Sequence, residues 1–167
     1  MKPNDITVVM TWYGQQDLLL QQVRFYADMA EKYHHKPKVI IMNDSNGPER
    51  TYFHECINAY KGAFDLQGVD VVSNDIGFNS HTCRNLGVKI AKTDWVWLMD
   101  VDCFEQEDIY HYMRFEKELD DGMFYVPKAD MDYPEDMTSY ELLDPKGLIK
   151  YVTHPNSWIM TKECFWS

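Results

Sequence analysis

Two aspartates close the most apolar stretch of this chain. Residues 95–102 read Trp-Val-Trp-Leu-Met-Asp-Val-Asp, a run that must be buried and that ends abruptly in Asp100 and Asp102. Two hard oxygen donors converging on one point suit Mg²⁺ or Mn²⁺ bridging to a phosphate. Alternate residues of an extended segment point the same way, so Asp100 and Asp102 can face one ligand while Val101 turns back into protein. The tripeptide alone is a weak signal. Asp130-Met131-Asp132 has the same form in a polar, Pro-containing stretch that reads as solvated loop, and an aspartate at a strand end also serves to cap the next helix. What separates the first pair is the strand before it. In an open α/β sheet ligands bind outside the carboxyl ends of the strands, where both side chains would be delivered.

The elements that must position the pair can be read by periodicity. Residues 6–11 form a short β-branched run, and Leu19, Val23, Tyr26, Ala30 and Tyr33 then recur at helical spacing. Residues 38–42 are a second buried strand, broken by Asn43-Asp44-Ser45-Asn46-Gly47-Pro48. Phe53, Ile57, Tyr60 and Phe64 mark a second helix, and residues 69–72 a third strand. Ser80 is a plausible cap for a third helix carrying Cys83, Leu86, Gly87 and Ile90 inward. The fourth strand ends at Asp100. Residues 105–119 read as one further helix through Ile109, Tyr112, Met113 and Leu119; residues 123–127, 148–152 and 157–160 read as shorter strands around a polar loop at 130–147. At helical spacing Tyr110, Tyr112 and Phe115 are better explained by core packing than by a sugar platform. Alternating strands and helices imply a mostly parallel sheet with right-handed crossovers, a three-layer α/β/α sandwich.

Composition sets the outer bounds. At 167 residues the chain is most simply one domain, and 45% hydrophobic with 14% aromatic residues excludes a disordered chain. A formal net charge of −11 disfavours nonspecific nucleic-acid binding. Cys56, Cys83, Cys103 and Cys164 are widely spaced with no C-x-x-C pair; zinc is disfavoured, and Cys56 and Cys83 read as reduced core thiols. No signal peptide is apparent and no segment approaches the about 20 apolar residues of a membrane span, so the expectation is a cytoplasmic protein that can visit a membrane through a partner. The chain stops in an apolar cluster, Cys164-Phe165-Trp166-Ser167, where native termini are usually exposed. That ending suggests a piece trimmed at its C-terminus.

The order of these pieces resembles the GT-A type of nucleotide-sugar-dependent glycosyltransferase, closest to family 2. The resemblance is carried by a first strand running into Thr11-Trp12-Tyr13-Gly14, by Val39-Ile40-Ile41-Met42-Asn43-Asp44-Ser45, and by the succession Asn74-Asp75-Ile76-Gly77-Phe78-Asn79, Cys83-Arg84-Asn85-Leu86-Gly87 and Asp100-Val101-Asp102. It covers nearly the whole chain. It implies that residues 1–102 are a nucleotide-binding half and residues 103–167 the start of an acceptor-side half of a single domain. Thr11 and Tyr13 would line the base and ribose pocket, and Asp44 would accept from the imide N–H of a uracil-like base, favouring a UDP-sugar donor. Arg84 would help hold the nucleotide and Asp100 would touch ribose or sugar. Asp102, with Asp100, would bind Mn²⁺ or Mg²⁺ across the diphosphate. Transfer to an acceptor hydroxyl would invert the anomeric configuration.

The resemblance implies an acidic general base beyond Ser167; Glu163 is placed as a helix residue, not the base. His154, before Pro155, reads as structural, and His34-His35 as a solvated helix end. The competing reading is a non-catalytic nucleotide-sugar-binding or interaction module. A nucleotidyltransferase is disfavoured because residues 11–17 carry one glycine and no Lys or Arg. A flavodoxin-like phosphoacceptor domain is more distant, since the first strand brings no acidic cluster.

Overall fold

The computed structural model describes residues 4–71, 79–126, 128–129, 152–153 and 157–167. Its centre is a five-stranded sheet in the order β3-β2-β1-β4-β7, made of β1 (Ile6–Trp12), β2 (Lys38–Asn43), β3 (Asp65–Asp70), β4 (Trp95–Asp100) and β7 (Trp158–Thr161). The first four are mutually parallel and β7 runs antiparallel to β4. A two-stranded piece, β5 (Lys128–Ala129) with β6 (Val152–Thr153), stands apart.

Side-chain alternation builds two separate cores. From β1, Val8, Met10 and Trp12 face one side with Val39 and Ile41 of β2 and Trp97 and Met99 of β4. There they meet Leu19, Val23 and Tyr26 of α1 (Gln16–Tyr33) and Phe53 and Ile57 of α2 (Pro48–Tyr60). Val9, Ile40, Met42, Val96 and Leu98 face the other side, against Cys83 and Val88 of α3 (Ser80–Ile90). Burial on both faces explains why β1, β2 and β4 read as near-continuous apolar runs.

The helices therefore divide: α1 and α2 lie on one face, α3 on the other. The chain winds outward from β1 through β2 to β3, then crosses back by α3 to β4 on the far side of β1. The strand order reverses between β1 and β4, and that switch point is where such sheets open a crevice at their carboxyl ends.

Several expectations are corrected. The third strand is Asp65–Asp70, not 69–72; at the sheet's edge it buries only Leu66, so it lacks an apolar run. The cap of α3 is Asn79, whose side chain accepts from the Thr82 N–H at 3.2 Å; Ser80 is the first helical residue. Phe64 lies beyond α2 though still in the core. In α3, Leu86 and Ile90 are only half-buried, and Arg84 and Val88 join Cys83 and Gly87 inside.

The expected helix at 105–119 is α4 (Glu107–His111) continuing into a π-helical turn, Tyr112–Glu116. Tyr110 is fully buried, but Tyr112 is 45% exposed, so core packing does not explain it. The 123–127 stretch contributes a bridge between Tyr125 and Ile159. Of the strand expected at 148–152, Val152 belongs to β6; residues 148–151, the 130–147 loop, His154 and most of the 74–79 motif lie outside the described residues. His34 does end α1 in a left-handed conformation, φ 49°. His35 is half-buried against Tyr110 and Phe115.

Candidate functional site

The β1–β4 switch point gathers most of the expected residues. Thr11 and Asp100 are register partners at the carboxyl ends of β1 and β4. Past Trp12, which is fully buried and stacked on Phe53 with centroids 5.3 Å apart, the chain turns at Tyr13-Gly14. Gly14 takes φ 82°, a conformation that side chains rarely tolerate. That turn leaves Tyr13 44% exposed at the edge of the sheet.

Asp44 extends β2 at the same edge. Its N–H donates to the Trp12 carbonyl at 3.1 Å, and its carboxylate accepts from the backbone N–H of Asn79. The aspartate thus ties the end of β2 to the start of α3, and it is buried.

Arg84 is not a surface arginine. On the first turns of α3 it is 8% exposed, donates from Nη2 to Asp100 Oδ1 at 2.6 Å and lies 5.6 Å from the Trp158 ring centroid on β7. Asp100 is therefore engaged by a cation within the protein before any ligand is considered. Two polar atoms here are buried and unpartnered among the described residues, Thr11 Oγ1 and Arg84 Nε. Buried polar groups are nearly always satisfied, and these two belong to residues at the sheet's carboxyl edge.

Asp102 stands differently. β4 ends at Asp100 and the chain turns, with the Cys103 N–H donating to the Asp100 carbonyl at 3.0 Å. The extended geometry expected through residue 102 gives way to a turn, yet burial still alternates: Val101, Cys103 and Glu105 inside, Asp102 and Phe104 exposed. Asp102 is thus presented outward beside the switch point. Among the described residues no group of three His, Cys, Asp or Glu is placed to hold a metal ion. Asp102 is exposed, and one of the two oxygens of Asp100 is committed to Arg84.

Sequence reading missed what holds this turn. Gln22 of α1 is fully buried and its Nε2 donates to the carbonyls of Val101 and Cys103, at 2.9 and 2.7 Å. One helical turn on, the Tyr26 hydroxyl donates to Glu105 Oε2 at 3.0 Å. Glu105 also meets Arg114 Nη1 at 2.6 Å, and the Arg114 guanidinium lies 4.0 Å from the Tyr110 ring centroid. Burial pushes the Glu105 carboxyl above its usual range, against the opposing pull of Arg114. Tyr26 rises well above the usual phenol range for the same reason, with Glu105 adding to it. The available signal was a glutamine between Leu19 and Tyr26 on the apolar stripe of α1.

The comparisons with known proteins agree with this architecture. No curated protein matches the chain. A galactosyltransferase, LgtC, solved with donor and acceptor sugar analogues, superposes with a TM-score of 0.53 at 15% identity over 95% of this chain and 59% of its own. The glycosyltransferase GlyE of Streptococcus pneumoniae gives 0.52 at 13% identity, over 98% of this chain and 35% of its own. The mannosyltransferase PcManGT of Pyrobaculum calidifontis, solved with GDP-Man and Mn²⁺, gives 0.45 at 15% identity, over 61% of this chain and 28% of its own. This chain spans less than two thirds of the length of each. The first two show the GT-A fold. The family model for glycosyl transferase family 2 matches residues 7–159, nearly the whole chain, and the chain belongs to that family.

Proposed function

We propose that this chain carries the donor site of a metal-dependent glycosyltransferase that moves a sugar from a nucleoside-diphosphate donor, UDP-sugar favoured, to an acceptor hydroxyl with inversion. The observation that carries the reading is the meeting of Thr11 and Asp100 at the switch point, with Arg84 bonded to Asp100 and two buried polar atoms there unpartnered among the described residues. Residues 1–102 act as the nucleotide-binding half, and residues 103–167 begin the acceptor side.

Thr11 and Tyr13 line the base and ribose pocket. Asp44, already accepting from Asn79, has a second oxygen to accept the imide N–H of uracil, which an ionised carboxylate does as a pure acceptor. Arg84, anchored by Asp100, directs its remaining donors at the ribose or diphosphate. Asp100 contacts ribose or sugar through its second oxygen. Asp102 and Asp100 fit a Mn²⁺ or Mg²⁺ ion bound by one or two carboxylates and completed by substrate phosphates and water, not an all-protein cage. Such an ion supplies Lewis-acid stabilisation of the diphosphate charge that grows as the glycosidic bond breaks. The acceptor-activating base is not assigned to any described residue; Glu163 lies on the short α5 (Lys162–Trp166).

Calorimetric titration of UDP, then GDP, with Mn²⁺ and with EDTA tests the reading. UDP binds with Mn²⁺, and Asp102→Ala abolishes the metal-dependent part. Absence of binding by either nucleotide would sink the assignment. Binding without sugar transfer to any acceptor would favour a donor-binding module.

A further inference from the structure

We infer that Gln22 is the positioning residue for Asp102, acting from α1 on the turn that presents the carboxylate; this rests on the donor-site reading above. The carbonyls of the residues on either side of Asp102, Val101 and Cys103, both accept from one atom, Gln22 Nε2, at 2.9 and 2.7 Å. Only an NH₂ group can serve two carbonyls at once from that position, so the orientation of the amide is dictated by its partners. Gln22 Oε1 has no partner among the described residues, so the two bonds from Nε2 are what orients the amide.

The clamp does for Asp102 what an outer-shell group does for a metal ligand. A carboxylate on an exposed turn samples many directions, and binding a cation would have to restrict it. With both neighbouring carbonyls held on a rigid helix, the residue between them is left to face outward. The helix is itself fixed to the same segment a second time, since Tyr26, one turn further along, donates to Glu105 at 3.0 Å and Glu105 is held by Arg114. Attachments from one helix face at residues 101, 103 and 105 fix both the position and the direction of the segment. Gln22 touches neither donor nor metal in this account; it acts through the backbone on either side of Asp102.

The test uses Gln22→Met, which keeps the shape of the side chain without its donors, and Gln22→Glu, which sets a carboxylate oxygen against the same two carbonyls. Each is compared with the unaltered chain and with Asp102→Ala by titration of UDP, or GDP where UDP does not bind, with Mn²⁺ and with EDTA. Amide hydrogen exchange across residues 101–105 is read in parallel. The expected result is a metal-dependent affinity reduced about tenfold or more, the usual consequence of losing an outer-shell partner. It comes with faster exchange at 101–105 and unaltered exchange in α2 and α3, which shows that the variant is folded. A folded variant with unchanged Mn²⁺-dependent affinity overturns this inference alone. Should the unaltered chain show no metal-dependent binding while Asp102→Ala behaves identically, the donor-site reading falls and this inference falls with it.

Discussion

An arginine held 2.6 Å from a carboxylate at a strand end changes what that carboxylate can do. Asp100 is not a bare anion waiting for a cation; one oxygen is committed to Arg84, whose side chain is itself enclosed by Trp158 and α3. The pair leaves Asp102 as the outward acid of the two. Removing the cation strands a partly buried charge. Arg84→Met is expected to lower stability by about 1–3 kcal/mol, the desolvation cost of an acceptor that loses its charged partner. Urea unfolding at unchanged m-value measures it, and an unaltered midpoint would refute the role. Arg84 and Asp100 were both recognisable from their places in the sequence motifs. Their mutual bond was not, because neither periodicity nor spacing says which of two polar residues at a sheet edge will meet the other before meeting a ligand.

At the scale of elements, α3 decides how closely the second face can approach the sheet. Gly87 lies against Val9, and a Cβ there would overlap the Val9 Cγ1 of the central strand. Gly87→Ala is expected to cost about 1–3 kcal/mol by overpacking and to move Arg84, one turn earlier, away from Asp100. A thermal melt indistinguishable from that of the unaltered chain would show that the contact relaxes. The strands β1, β2 and β4 were legible because burial on both faces makes continuous apolar runs. β3 was displaced in the reading because an edge strand with sequence Asp-Leu-Gln-Gly-Val-Asp has little apolar signal. The π-helical turn after α4 was invisible because its hydrogen bonds span only one residue more than those of an α-helix, although it carries Arg114 to Glu105 and Trp97.

Over the whole molecule, the sheet separates two cores, and the cysteines report on them independently. Cys56 belongs to the α1–α2 side and Cys83 to the α3 side, and both are the reduced core thiols that their positions suggested. Burial pushes the Cys83 thiol up to about 12, with Asp44 adding to it and Arg84 opposing it, so it is protonated and inert at neutral pH. A maleimide offered to the folded chain is expected to label half-buried Cys164 first and Cys83 only on global unfolding; mass spectrometry of timed samples decides it, and early labelling at Cys83 would contradict the packing of α3. Among the described residues no helix is long and apolar enough to cross a membrane. The tip of β2 holds two neighbours at consecutive residues: the Val71 N–H donates to the Asn43 carbonyl and the Asn79 N–H to the Asp44 carboxylate. The end of β3 and the start of α3 are therefore moored to one two-residue hitch, so that a displacement of β2 along its register would carry both with it.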